Sequence, residues 1–397
     1  MSFLCPHSLT AVSRCAGFLA MALAFAPGPV AAGPAYEPPS HRVLDLPPGP
    51  GNPRNSEGAF VELRDGRILF VYSRFLGESH SDHAKATLAA RTSRDDGATW
   101  SDDAIIATPR EAEAMNVMSV SLLRLQNGAI GMFYMLRISW HDMRMYLRRS
   151  ADEGRSWSEP VVCMPEADYH VVNNDRVVRL SSGRLIIPAA LHKSLAARNE
   201  QSAVDFRGIA KFFLSDDDGL SWRGSVASVR LPIKGTKRGM QEPGLVELPG
   251  GRLWGWARTD QGRQYQIFSN DGGDTWTEPE PSRFTSPTSP LSMKRIPGSD
   301  RFLAIWNPAR TKASPPLVQP GGDRIPLVMA MGATPDGVWS KERIIEGPDE
   351  PTAGYCYTAI HFTKSAVLLA YCAGGEADKH RLARLRIRRI PLAQLQW

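Results

Sequence analysis

The chain has 397 residues and a formal net charge of +6, enough length for one large domain or two ordinary ones. Gly and Pro are plentiful and spread throughout, 34 and 31 residues respectively, which suits many short strands joined by turns. Beyond residue 33 no apolar run approaches the ~20 residues of a membrane span. The cysteines lack the close spacing of a zinc site or a disulfide framework.

At the N-terminus, "CAGFLAMALAFAPGPVAAG" (15–33) is an apolar run preceded by Arg14, with Val30-Ala31-Ala32 as a small-residue cleavage site. Residues 1–32 therefore read as a secretory signal, and the mature protein is expected to be secreted or periplasmic. Residues 33–52 are a Pro-rich lead-in with no expected fold of their own. Residues 53–397 are expected to form one domain.

The first element of that domain is "VELRDGRILFVYS" (61–73), strand, Gly-containing turn, strand, the pattern of a β-hairpin. An eight-residue turn follows, "SRDDGATW" (93–100). Both then recur. Hairpins lie at "LRLQNGAIGMFYM" (123–135), "VRLSSGRLIIPAA" (178–190) and "VELPGGRLWGWAR" (246–258), with looser copies at 294–306 and 360–372. The turn returns as "SADEGRSW" (150–157), "SDDDGLSW" (215–222) and "SNDGGDTW" (269–276), and as a worn copy ending at Trp339. A period of about 60 residues outranks any local reading of the turn as a metal loop. Its Asp is suited to bonding backbone N–H groups, its Gly to a positive φ, and its Trp to packing between sheets. Six hairpins of this kind, too small to bury both faces alone, predict an all-β fold, a six-bladed β-propeller with Asp-box turns. "RLARLRIRR" (381–389) alternates apolar and basic residues and reads as a terminal strand closing the ring with the first blade, not as a nucleic-acid tract. If Cys356 and Cys372 sit on neighbouring strands, one disulfide is open.

Ligands bind at the mouth of a propeller's axis. Counting back seven and six positions from Leu63, Leu125, Leu180, Leu248 and Phe362 returns Ser56-Glu57, Met118-Ser119, Asn173-Asn174, Gln241-Glu242 and Tyr355-Cys356. Polar residues gather where a buried strand would otherwise be apolar, as a binding site requires.

Several segments resemble the sialidase superfamily of Asp-box, or BNR-repeat, propellers. "QEPGLVELPGGRLWGWARTDQGRQYQIFSNDGGDTW" (241–276) resembles the stretch from the family's catalytic Glu through a substrate-binding Arg to an Asp-box, implying those roles for Glu242 and Arg258. "DRIPLVMAMGATPDGVW" (323–339) resembles the segment that starts with the third Arg of the family's triad, implying Arg324. "GYCYTAIHF" (354–362) resembles the nucleophile strand, implying Tyr357, with Tyr355 as the alternative. The loop before the first Asp-box implies Asp82 as acid/base, flanked by His83, with Arg74 as the upstream Arg. Asn174 and Arg176 of "NNDR" (173–176), together with His192 and "SWHDMR" (139–144), add polar groups able to read sugar hydroxyls. A neutral Tyr is not repelled by a substrate carboxylate, and at a pKa near 10 it needs a neighbouring base. Guanidinium groups bind a carboxylate bidentately.

The resemblance breaks at the first blade. Where the family carries the first Arg of its triad this chain has Ser56, with Glu57 beside it. A like charge about 4 Å from a sugar carboxylate costs ~4 kcal/mol at an effective dielectric of 20. Either Arg54 swings in, or Glu57 pairs with Arg54, Arg74 or Arg324, or the sugar is not an ordinary sialic acid. The resemblance thus implies a monomeric exo-glycosidase acting on a glycan, with no cofactor, metal or nucleic acid. The alternatives are a related hydrolase or lyase acting on a uronic acid or deoxy sugar, and a non-catalytic sugar-binding propeller.

Overall fold

A computed structural model of the protein describes residues 35–36, 41–107, 114–195, 198–309, 324–347 and 352–395. The expected signal segment, 1–32, lies outside them. Among the described residues, apart from short 3-10 segments, the regular structure is entirely strand. The six hairpins are all present, pairing Asn55–Glu62 with Ile68–Phe75, Asn116–Arg124 with Ile130–Ser139, and Val178–Arg179 with Leu185–His192. Gln241–Glu247 pairs with Leu253–Arg258, Ser292–Arg295 with Phe302–Trp306, and Gly354–Phe362 with Ala366–Gly374. Each hairpin continues outward into a third antiparallel strand and a short outer one.

The strand sets are not all separate. The second and third share a nine-stranded sheet, because Tyr169–Val171 pairs antiparallel with Leu185–His192 and parallel with Asp142–Ser150 at Tyr169 and Met143. The C-terminal strand Leu385–Pro391 also departs from expectation. It pairs with Ala366–Gly374 of the last set, not with the first, and accepts Arg42–Leu46 as its outer neighbour. Part of the Pro-rich lead-in is therefore a strand. Its Asp45 meets Arg386, and Arg386 and Arg388 reach the buried Glu346.

The apolar core is divided among the gaps between sets. One cluster joins Val71 and Leu88 of the first set to Val120 and Tyr134 of the second, and others join each later set to the next. A further cluster packs Phe60, Phe70 and Tyr72 of the first set on Leu368, Leu385 and Ile387 of the last. Each set thus buries both faces against neighbours, which a lone four-stranded sheet cannot do.

The Asp-box turns behave as scaffolding. Asp95 accepts hydrogen bonds from the Thr99 N–H and hydroxyl, and the Ser93 hydroxyl accepts one from Gly97 N–H. The same bonds recur at Asp152, Asp217 and Asp271. Gly97, Gly154 and Gly219 have positive φ, and so do Asp96, Glu153 and Asp218 just before them. The box tryptophans are half-buried and pack onto the edges of the inter-set clusters.

Candidate active site

Four of the inner strands carry a register shift near their N-terminal ends: between Ser56 and Ala59, Met118 and Ser121, Gln241 and Gly244, and Cys356 and Ala359. Inside these bulges Glu57, Ser119, Glu242 and Tyr357 have φ of 56°, 59°, 47° and 59°. L-residues rarely adopt this left-handed region, and bulges commonly re-aim a side chain at a site. The consequence is clearest at Tyr355 and Tyr357. Two residues apart on a regular strand, they would face the same side. Tyr355 is fully buried in the core against Tyr371, whereas the bulge turns Tyr357 into a cavity of about 230 Å³.

That cavity brings together Glu57, Asp82, Glu242, Arg258 and Tyr357, drawn from three strand sets and one loop. The Tyr357 hydroxyl donates to Glu242 Oε1 at 3.1 Å, and Arg258 Nη1 donates to the same oxygen at 2.8 Å. Glu242 Oε2, Gln241 Oε1, Arg258 Nε and Asn173 Nδ2 are buried and have no hydrogen-bond partner among the described residues. Native proteins seldom leave such groups unpaired, at ~1–3 kcal/mol each, away from a functional site. Burial pushes the Glu242 carboxyl up, but Arg258 and Arg324 outweigh it and hold it below its usual range. Burial and the Glu242 charge push the Tyr357 phenol up. The pair is thus an ionised acceptor beside a phenol that needs one.

Asp82 sits on the loop between Ile68–Phe75 and Ala86–Ser93, its carboxylate half-exposed at the cavity mouth and bonded to Arg54. Burial raises its pKa, but Arg54 more than offsets this and the net shift is downward. Arg54 also donates to Glu57 Oε1 at 2.7 Å, and the Ser119 hydroxyl donates to Glu57 Oε2 at 2.8 Å. Burial, which Arg54 only partly counters, places Glu57 at about 7. Among the described residues no group of three His, Cys, Asp or Glu side chains is placed to hold a metal.

The BNR repeat-like domain model matches residues 75–366, well over half of the chain. The chain belongs to this family. No curated protein matches it by sequence. Among solved structures it is similar to a protein of unknown function from Dyadobacter fermentans, at 19% identity and a TM-score of 0.64, covering 88% of this chain and 98% of that one. It is also similar to the Hadza microbial sialidase Hz136, at 16% identity and a TM-score of 0.66, covering 87% and 67%. The NanB sialidase of Streptococcus pneumoniae gives 14% identity and a TM-score of 0.65, covering 89% and 71%. At these identities the likeness is one of fold, that of the sialidase β-propellers.

In this BNR repeat-like protein the other sequence-predicted residues divide. His83 lines the cavity, with its Nδ1 against Arg137 Nη1. Arg324 is buried behind Tyr357, its Cζ 5.4 Å from the ring centroid and its Nη1 2.8 Å from Cys356 Sγ. Burial raises the Cys356 thiol, but a hydrogen bond from Cys372 and the Arg324 charge bring it down to about 6. Cys356 and Cys372 are directly opposite in register, and both are free thiols.

Arg74 is not in the cavity. Strand alternation points Ser73 inward, to Ser119 N, and Arg74 outward, 3.8 Å from Asp103. Asn174 and Arg176 do not line it either. Asn174 Nδ2 donates to the carbonyls of Gly58 and Tyr357, satisfying bulge oxygens that left the ladder. Arg176 Nη2 donates to Leu291 O beneath the Trp256 ring, and burial lowers it to about 10. Asn173 is the member of "NNDR" that faces the cavity. The count from Phe362 is one residue out for the same local reason. In the last hairpin Thr363 N bonds Ala366 O, a turn one residue shorter than Leu63 to Arg67, so Cys356-Tyr357 takes the place of Tyr355-Cys356.

Sequence reasoning missed Arg137, Tyr169, Phe206 and Arg238, which also line the cavity. A signal for Arg137 was present: it is the lone charge in "IGMFYMLRIS" (130–139). Tyr169 comes from the short strand Tyr169–Val171 that joins the second and third sets, and Phe206 and Arg238 from irregular connections, none with a repeat to compare.

Proposed function

We propose that this protein is a secreted or periplasmic exo-glycosidase that removes a terminal, acidic sugar from a glycan with retention of configuration. Its frame would be a closed propeller of six blades, one per hairpin. The 3.1 Å hydrogen bond from Tyr357 to Glu242 is the observation that carries the reading. A phenol raised by burial is a poor nucleophile alone, and Glu242 is the base that takes its proton as it attacks the anomeric carbon. Glycosidases with a Tyr nucleophile stand outside the usual paired-carboxylate scheme, and a binding protein has no use for a buried phenol held against a carboxylate. Asp82, at the open mouth, is the acid/base: its pair with Arg54 keeps it ionised at rest, so it leaves that pair and takes a proton from solvent before protonating the leaving oxygen, and it then activates the water that releases the sugar. Arg258 and Arg137, with Arg238 at the rim, make the walls cationic and favour an anionic sugar.

A second reading concerns the sugar. Ser56 stands at the first triad position, and Arg54 is already shared by Glu57 and Asp82. Arg324 is engaged with Cys356. This favours a uronic acid or deoxy sugar over sialic acid. Screening methylumbelliferyl glycosides, with the sialoside included, tests both readings. Release from one glycoside, abolished in Tyr357→Phe, supports the enzyme; an unsaturated product absorbing in the ultraviolet points to lyase chemistry; and no turnover across the panel overturns the enzyme reading.

A further inference from the structure

Beside the cavity runs a second hollow of about 440 Å³, whose lining includes Lys193, Arg207, Arg230 and Lys234. The two share a wall. Phe206 and Arg238 line the cavity, while their chain neighbours Asp205, Arg207 and Gly239 line the hollow. Gly208 and Gly239, joined by a parallel bridge, form the divide between them. Any chain attached to a sugar in the cavity therefore has this hollow as an adjoining bed.

Its charge is one-sided. Several part-buried arginines elsewhere are matched: Arg184 with Asp216 and Asp274, Arg124 with Glu153, Arg389 with Asp96. Among the described residues Asp205 is the only acidic one of the lining, and Arg207 occupies it bidentately. Lys193, Arg230 and Lys234 make no ion pair among the described residues, nor do Lys237 and Arg238 on the adjoining strip, and all five are exposed. Grouped like charges without counter-charges raise the local anion concentration and speed anion capture.

We infer that this hollow is the aglycone-binding bed, and that it holds a polyanionic glycan carrying a carboxylate or sulfate on successive sugars. The inference deepens the exo-glycosidase reading and rests on it for the role of the chain, but binding is measured without turnover. The probes are a fluorescein-labelled heparin hexasaccharide (sulfate and carboxylate), a labelled oligogalacturonate (carboxylate alone) and a labelled neutral dextran oligosaccharide. Fluorescence anisotropy on the full chain at about 150 mM salt should show one or both anionic probes bound and the dextran unbound. Sulfate is the recognised group if only the first binds, carboxylate if both do. The Arg230→Glu/Lys234→Glu double variant should weaken binding by more than ~10-fold. Arg230→Gln/Lys234→Gln should show a smaller loss, in step with the charge removed, and both should keep the wild-type melting temperature. Equal affinity in wild type and double variant overturns the inference, as does a short DNA duplex that binds as tightly as the better glycan. Chain binding by a protein that cleaves no glycoside would sink the catalytic reading and leave the bed; cleavage of small glycosides without chain binding would do the reverse.

Discussion

At the scale of single residues, the site depends on side chains held where the backbone is least comfortable. Glu57, Ser119, Glu242 and Tyr357 all sit at positive φ, a cost of ~1–3 kcal/mol each that a purely structural strand has no reason to carry. Tyr357→Phe removes one oxygen and should leave the fold unchanged. Turnover of the responsive glycoside should fall by at least ~10³-fold, and Glu242→Gln by ~10²–10⁴-fold. A Phe variant retaining a tenth of wild-type turnover would show that the phenol is not the nucleophile. Glu57 titrates at about 7, so it is largely neutral at pH 5.5 and charged at pH 8. Glu57→Gln should therefore lower KM for an acidic glycoside several-fold at pH 8 and hardly at all at pH 5.5. The same change in KM at both values would place Glu57 outside the substrate's field.

At the scale of elements, the Asp-box is a turn that replaces lost ladder bonds with side-chain ones. Asp271 accepts from the Thr275 N–H and hydroxyl and from Ser269, and these bonds hold its pKa at about 2. Its folded pKa lies below the unfolded one, so its stabilisation is complete above about pH 4 and is lost as pH falls toward 2. Asp271→Ala should cost about 1–2 kcal/mol at pH 7, seen as a lower denaturant midpoint with an unchanged slope. It should leave KM unaffected, because the box is remote from the cavity. An equal loss of stability from wild type and variant between pH 4 and pH 2 would not be expected, since the variant lacks the titrating group.

At the scale of the whole molecule, the strand sets are tied across their common centre by a few polar side chains. Asp175 accepts from Lys294 at 2.7 Å and from Ile360 N at 2.9 Å, while its own N–H donates to Val120 O. It thus links the second, fifth and sixth sets to the third. Asp175→Ala leaves Lys294 and a buried N–H without their acceptor and should cost ~2–4 kcal/mol, read as a lower and broader thermal transition. A transition unchanged in midpoint would show that the sets hold together by apolar packing alone. Burial lowers His170, His192 and His361 to about 4 each. The unfolded chain binds more protons than the folded one between about pH 6.5 and 4, so stability should fall as pH drops through that window. Glu57, raised by burial, works in the opposite sense, and Glu57→Gln should make the fall steeper.

The repeat was legible in the sequence because hairpin turns and Asp-boxes are local. Gly, Asp, Ser and Trp at fixed offsets specify a turn wherever the chain places it, and apolar alternation specifies the sheet faces. Glu242 was legible at a countable distance from a turn, whereas Arg258, on the second strand of that hairpin, and Tyr357, which the count from Phe362 missed, were reached only through the resemblance. What lay beyond the sequence was which way side chains point once strands bulge. Tyr355 and Tyr357 have the same strand parity, and only the shift between Cys356 and Ala359 sends one to the core and the other to the cavity. The tertiary structure also decided the partners of charges far apart in the chain: Glu57 with Arg54 and Ser119, Arg324 with Cys356, and the use of Asn174 and Arg176 as ties between strands rather than as lining. Pairing energies depend on burial and distance, and neither exists until the sets close on one another.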